Sequence, residues 1–151
     1  MRIQLVDYGH PDAMRLREEQ RAELAERYGT PDSEPGGPPA AHEMQVFVLA
    51  RDAATGEPLG CGGLRALGDS VGEIKRMFVV PAQRRNGVAG QVLQALERHA
   101  VERGWTALRL ETGALQPDAI AFYERHGYVR IARFGPYVAD ELSVCFERDL
   151  R

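Results

Sequence analysis

Residues 73–91 read EIKRMFVVPAQRRNGVAGQ, and this stretch decides the architecture. A strand runs over 72–80 and stops at Pro81. A short basic turn follows, and small residues then open a helix predicted over 87–103. In that helix Val88, Val92, Leu96 and Ala100 recur every four residues with Leu93 beside them, which makes one apolar face. The first turn of a helix carries N–H groups without internal partners and a partial positive charge. Gly87, Ala89 and Gly90 keep bulky side chains away from those N–H groups, and Arg84 and Arg85 add charge just ahead of them. Two readings stay open on spacing alone: an ordinary turn, or a cradle for a pyrophosphate. A nucleotide-hydrolysing loop is excluded, because Val88-Ala89 stands where a Lys-Ser/Thr pair would be needed. A dinucleotide fingerprint is excluded by the missing spaced glycines and acidic residue.

Outward from this stretch, the pattern alternates between strands and helices. Residues 2–7 and 45–51 read as strands, 59–66 as the hairpin partner of the latter, and 108–112, 128–134 and 142–149 as three more. Helices are predicted over 12–28, closed by Gly29, and over 117–126. In the first helix only Met14, Leu24 and Tyr28 stand out as apolar, which predicts a largely wet helix. The segment TPDSEPGGPPAA (30–41) holds four prolines and two glycines and reads as a surface loop, or as a flap over a substrate site, within a broader flexible stretch of about 29–43. The order of elements implies a mixed α/β (α+β) sheet with helices on its faces, in one domain over 1–151.

Composition narrows the function classes. The chain has 151 residues, a net charge of −3 and 44% apolar residues, which suits one globular domain and gives no general attraction to nucleic acid or an anionic membrane. No apolar run approaches the length of a membrane span, and the N-terminus does not read as a signal peptide. Cys61 and Cys145 are too few for a disulfide framework and fit a reducing, cytoplasmic setting as small packed hydrophobes. The four histidines lack metal-ligand spacing, so no metal is expected.

Arg84-Arg85-Asn86-Gly87-Val88-Ala89 resembles the Arg/Gln-x-x-Gly-x-Gly/Ala signature of the GNAT family of N-acetyltransferases. The stretch Ala119-Ile-Ala-Phe-Tyr123-Glu-Arg-His-Gly-Tyr128 resembles that family's later Ala-x-x-Phe-Tyr-x-x-x-Gly-Phe element, and the likeness covers roughly residues 45–149. The resemblance implies a six- to seven-stranded mixed sheet splayed between its fourth and fifth strands, with acetyl-coenzyme A as co-substrate. It implies that the backbone from Arg85 through Asn86, Gly87, Val88 and Ala89 to Gly90 holds the pyrophosphate, with Arg84 also on the cofactor side. The backbone of Phe78, Val79 and Val80 would then hold the pantetheine. Gln116 stands where many members carry an Asn that contacts the cofactor, a departure that keeps both a donor and an acceptor. Ala119, Phe122 and Tyr123 would complete the cofactor side.

Acetyl transfer requires a neutral amine, a stabilised oxyanion and a proton for the leaving thiolate. The resemblance implies that Tyr123 is the acid, whereas the local pattern also allows a packing aromatic beside Phe122. It also places Glu73 where some members carry a catalytic base. Strand alternation puts Glu73 and Lys75 on one face and Arg76 on the other, and three charges in one central strand predict a nearby wet cavity. Glu73 and Lys75 pairing with each other is the competing reading. Arg76 suits a carboxylate on the acceptor or a surface ion pair. Glu111 and Tyr137 are further candidates for the acceptor side, with Tyr137 either closing over the substrate or lying in a tight turn. No Ser-His-Asp set or activated cysteine is present in the pattern, so direct attack by the amine is expected. The expected activity is transfer to the amine of a small molecule by a chain that acts alone or as a homodimer. A non-catalytic acyl-coenzyme A sensor and a protein or peptide N-acetyltransferase are the competing functions.

Overall fold

The strand-forming runs all enter one sheet. In the computed structural model, which describes residues 1–30 and 35–151, seven strands are seen. They are β1 (Arg2–Leu5), β2 (Met44–Arg51), β3 (Pro58–Gly68), β4 (Val71–Val79), β5 (Ala107–Gly113), β6 (Val129–Ile131) and β7 (Ser143–Asp149). Their order is β1-β2-β3-β4-β5-β7-β6. Every pairing is antiparallel except β4 with β5. A parallel neighbour needs a crossover, and helix α2 (Val88–Glu102) supplies it. The sequence expectation of a mixed sheet flanked by helices is met. The predicted strand at 128–134 is shorter, because only 129–131 finds a partner along β7. Of the predicted loop, residues 31–34 lie outside the described residues, and the described part holds only turns and one short 3-10 turn at Ala41–Glu43.

Apolar residues from alternate strand positions build a core on each face of the sheet. Val46, Val48, Ala50, Leu64 and Ile74 pack against Val88, Val92, Leu93, Leu96 and Ala100, the face foreseen for α2. On the other face, Phe47, Leu49, Cys61 and Phe78 pack against Ala13 and Leu16 of helix α1 (Pro11–Tyr28). Met14 is half exposed, so the docked face of α1 is not the one its larger apolar residues suggested. Asp12 accepts a 2.8 Å hydrogen bond from Arg51 that fastens the start of α1 to β2, and that bond holds its carboxyl below the usual range.

Two local features of β4 open the sheet. The parallel ladder between β4 and β5 covers only Val71–Glu73 against Ala107–Arg109, so the strands splay apart from Ile74 and Leu110 onward. On its other side β4 carries a bulge. Lys75 pairs with Gly63 and Phe78 with Cys61, which leaves Arg76 and Met77 opposite a single residue. Arg76 takes a left-handed φ of 63°, uncommon for a side-chain-bearing residue.

Candidate active site

The bulge interrupts strict alternation. Before it, Glu73 and Lys75 share one face and Ile74 the other. After it, Phe78 enters the α1-side core while Met77 packs on the α2 side. The simple alternation predicted through Arg76 therefore ends at that residue. Past the bulge β4 stays paired with β3, Phe78 opposite Cys61 and Val79 opposite Gly60, while β5 has left its other edge. The Met77 carbonyl accepts from Gln20 Nε2 at 2.9 Å and the Val79 carbonyl from Arg84 Nε at 3.0 Å. In a regular strand the N–H of a residue points to the same side as its carbonyl, so Met77 and Val79 present their backbone to the opening. The side chain of Phe78 is core, and Val80 N–H bonds back to the Leu59 carbonyl at 2.9 Å.

Beyond Val80 the chain makes a 3-10 turn at Pro81–Gln83 and then the loop into α2. Arg85, Asn86 and Gly87 lie exposed at the surface. Arg85 has φ 68°, and Gly87 caps α2 with φ 79°. A residue with a Cβ at position 87 meets no atom but pays for a left-handed backbone. At Gly90 an added Cβ touches only His126 Nε2, at 3.5 Å. The first turn of α2 is thus open, as a pyrophosphate cradle requires. Arg84 differs from its expected role. Its guanidinium bonds Glu23 at 2.6 Å and lies 5.6 Å from the Phe78 ring, so it ties the loop to α1. His126 closes helix α3 (Pro117–Arg125) with its Nδ1 2.8 Å from the Phe122 carbonyl.

The splay opens into a cavity of about 180 Å³. Lys75, Arg76 and Met77 form its β4 wall, and Glu111, Thr112 and Gly113 its β5 wall. Gln116, Ala119 and Tyr123 enter from the start and middle of α3. Tyr123 is 6% exposed, and burial raises the pKa of its phenol well above the ordinary value, so it stays protonated. Its ring packs edge-on against Phe122 and Tyr128. The remaining wall was not foreseen from sequence. Gln20, Leu24 and Tyr28 come from the last turns of α1, and Asp140 and Leu142 from the loop before β7. Tyr28 lies so close over Gly113 that a Cβ there would collide with its hydroxyl. A helical face of one polar and two apolar residues facing a cavity has no signature distinct from a wet helix face, which is why the pattern concealed it.

Glu73 does not line this cavity. It is fully buried, with Oε1 accepting from Arg65 Nε at 2.7 Å and Oε2 accepting from the Tyr137 hydroxyl at 2.6 Å. Lys75 Nζ donates to the same hydroxyl at 3.0 Å. Glu73 reaches the cavity only through Tyr137 and Lys75, which departs from its expected position beside the acceptor. Tyr137 departs too. It is fully buried in a 3-10 turn at Gly135–Tyr137, and it supports the cavity wall from behind rather than closing over it. Glu111 and Arg76 lie in the cavity wall, and Glu111 accepts from the Ser143 hydroxyl at 2.7 Å. Cys61 lies under the bulge, with its Sγ donating to the Arg76 carbonyl at 3.3 Å and burial pushing its pKa up to about 12. No group of His, Cys, Asp and Glu suited to a metal occurs among the described residues.

Known proteins match this chain in sequence and in fold. The model of the acetyltransferase (GNAT) family matches residues 13–128. The chain belongs to this family. The GNAT chain is 38% identical over 105 residues to the IAA acetyltransferase of Azospirillum brasilense, covering 69% of this chain and 67% of that one. Its structure superposes on an acyl-CoA N-acyltransferase from Klebsiella pneumoniae with a TM-score of 0.84, at 29% identity over 99% of this chain and 97% of the other. A GNAT acetyltransferase from Elizabethkingia anophelis with acetyl-CoA bound shares the fold, with a TM-score of 0.71 at 17% identity over 98% and 97% of the two chains. Membership of the GNAT family makes this chain an acetyltransferase. None of its described helices is long and apolar enough to cross a membrane.

Proposed function

We propose that this acetyltransferase moves the acetyl group of acetyl-coenzyme A to the amine of a small molecule held in the splay cavity. The observation that carries the reading is the end of the β4–β5 ladder at Glu73, which opens a small cavity with Tyr123 in its wall. A space of this size suits a small acceptor better than a folded protein surface. Acetyl-coenzyme A, when bound, supplies an activated acyl group on a thiol leaving group.

The chain's own residues fit that co-substrate. Open N–H groups from Arg85 through Asn86, Gly87, Val88 and Ala89 to Gly90 suit the pyrophosphate, an interaction worth up to about 2 kcal/mol at a helix start. Arg84 contributes by holding the loop against α1. The outward-facing backbone of Met77 and Val79, on either side of Phe78, suits an extended amide chain laid along an unpaired strand edge. Gln116, Ala119 and Phe122 flank that edge from α3, with Gln116 held near the Tyr28 hydroxyl at 3.5 Å.

Tyr123 donates its proton to the departing sulfur. The neutral amine, beside the acidic wall of Glu111 and Asp140, attacks the thioester carbonyl directly, and the C–S bond breaks. The proton that the nitrogen sheds as the amide forms replaces the one that Tyr123 gave to sulfur. Glu73 takes part by fixing Tyr137 and Lys75, and Arg76 borders the acceptor's far end. A reducing cytoplasm suits the two unpaired thiols.

The test is release of free thiol from acetyl-coenzyme A across a panel of small amines and short peptides. Turnover with small amines and not with peptides supports the reading. Tight coenzyme A binding with no turnover on any acceptor overturns it in favour of a sensor.

A further inference from the structure

His126 stands between two helix ends. It caps α3, where its Nδ1 lies 2.8 Å from the Phe122 carbonyl and its ring packs 4.4 Å from the Phe122 ring. A carbonyl oxygen only accepts, so Nδ1 carries a hydrogen and the ring orientation is fixed. The other ring nitrogen, Nε2, looks toward the first turn of α2, where an added Cβ on Gly90 would lie 3.5 Å from it. Among the described residues Nε2 has no hydrogen-bond partner. No side chain caps Gly87, and no acidic residue occupies the first turn of α2. The N–H groups of that turn and Nε2 therefore border the same space.

The protonation of Nε2 decides what that space can hold. In the neutral ring the hydrogen is on Nδ1, so Nε2 is a lone pair and repels a phosphate oxygen. In the imidazolium, Nε2–H is a charge-assisted donor to one. An imidazolium facing the positive end of a helix is unfavourable until an anion lies between them. Anion binding and protonation are therefore linked, each favouring the other. Other charged groups stand on the elements around the ring. Glu124 and Arg125 flank it on α3 and are exposed, and so is Arg85 in the loop before α2. Arg148, beside Gly127, is matched by Glu97 at 2.7 Å. Of these side-chain types only imidazole ordinarily changes charge between about pH 5 and about pH 8.

We propose that His126, as the imidazolium, is a ligand of the coenzyme A pyrophosphate, so that binding of the co-substrate takes up a proton. This rests on coenzyme A as the co-substrate and adds the regulation of its site. Affinity for the donor falls as pH rises through the range in which imidazole loses its charge. The pyrophosphate diester keeps its own charge there, whereas the 3′-phosphate of coenzyme A titrates at about pH 6.

The experiment is calorimetry with dephospho-coenzyme A, which lacks the 3′-phosphate. Wild type is expected to bind about tenfold more tightly at about pH 6 than at about pH 8. Between these values its binding heat should vary with the ionisation enthalpy of the buffer, in the direction of proton uptake. His126→Asn keeps a donor for the Phe122 carbonyl and loses Nε2. It should bind equally at both pH values, no tighter than wild type does at the higher one, and without proton uptake. His126→Gln, with a neutral donor near the Nε2 position, should also lose the pH dependence and the proton uptake. A merely structural cap would alter affinity and melting temperature without removing a proton from the binding heat. Thermal melts identify any variant that fails to fold, and the wild-type profile stands without them. A flat wild-type profile overturns the proposal, as does a folded variant that keeps the wild-type slope. A slope seen with coenzyme A and not with dephospho-coenzyme A assigns the proton to the 3′-phosphate and also overturns it. If neither compound binds at any pH, the co-substrate reading itself fails, and the proposal with it.

Discussion

Two clusters in this molecule are built from the same three residue types. Glu73 binds Arg65 and the Tyr137 hydroxyl at 2.7 and 2.6 Å. Glu97 binds Arg148 and the Tyr128 hydroxyl at 2.7 and 2.9 Å. The second cluster ties α2 to the β6–β7 edge, and its arginine side chain is 41% exposed. In the first, glutamate and tyrosine are both fully buried, and a fourth group, Lys75, carries the cluster through to a cavity. The chemistry of a Glu–Tyr–Arg cluster thus does not distinguish a fastening from a piece of a site. The group attached to it does.

The comparison can be broken most directly at the two glutamates. Glu73→Ala removes the buried carboxylate that accepts from Arg65 and the Tyr137 hydroxyl, and leaves Arg65 its longer pair with Glu43 at 3.4 Å. It should cost about 3–5 kcal/mol in urea unfolding, whereas Glu97→Ala should cost about 1–2 kcal/mol. Equal losses would mean that burial does not separate the clusters. The two tyrosines of α3 and its following turn sharpen the same contrast in rate. Tyr123→Phe should lower kcat about 100-fold with little change in KM for acetyl-coenzyme A, while Tyr128→Phe should leave kcat within about twofold. An unchanged rate in Tyr123→Phe removes it as the acid.

At the helix start, Gly87→Val should cost about 1–2 kcal/mol from the left-handed backbone and weaken coenzyme A binding, read by calorimetry. Undiminished binding would sink the cradle.

The smallest effect concerns alkaline stability. Burial, with Glu97 nearby, raises the Tyr128 phenol above its ordinary value near 10. The unfolded chain then releases this proton before the folded one does. Its contribution to stability is complete below about pH 10 and falls by about 1.4 kcal/mol per pH unit above it. Tyr128→Phe should remove one proton from that slope in urea titrations between pH 9 and 11, and an unaltered slope would refute the assignment.

The element order was legible because each helix and strand has its own period and its own stop signal, such as Gly29 or Pro81. The open start of α2 was legible for the same reason, since Gly87 and its small neighbours act locally. Tyr123 lies in the cavity wall, inside the stretch that its motif singles out. The acceptor side was not legible, because it depends on contacts between residues far apart in the chain. Nothing near Arg76 announces a bulge, since a left-handed backbone is expected of glycine rather than arginine. Nothing in Phe134-Gly135-Pro136-Tyr137 tells that the tyrosine turns inward to meet Glu73, 64 positions earlier. The charges of β4 did predict a wet cavity nearby, but not which of them face it.

The burial of Cys61 under the bulge, and of Cys145 in β7, has a practical meaning for anyone who studies turnover. Both thiols are held in their unreactive, protonated form by desolvation. A colorimetric disulfide reagent added to the native protein should therefore see only the coenzyme A set free, with little background from the catalyst. In denaturant the same reagent should report two thiols per chain, so one dye can follow both chemistry and unfolding.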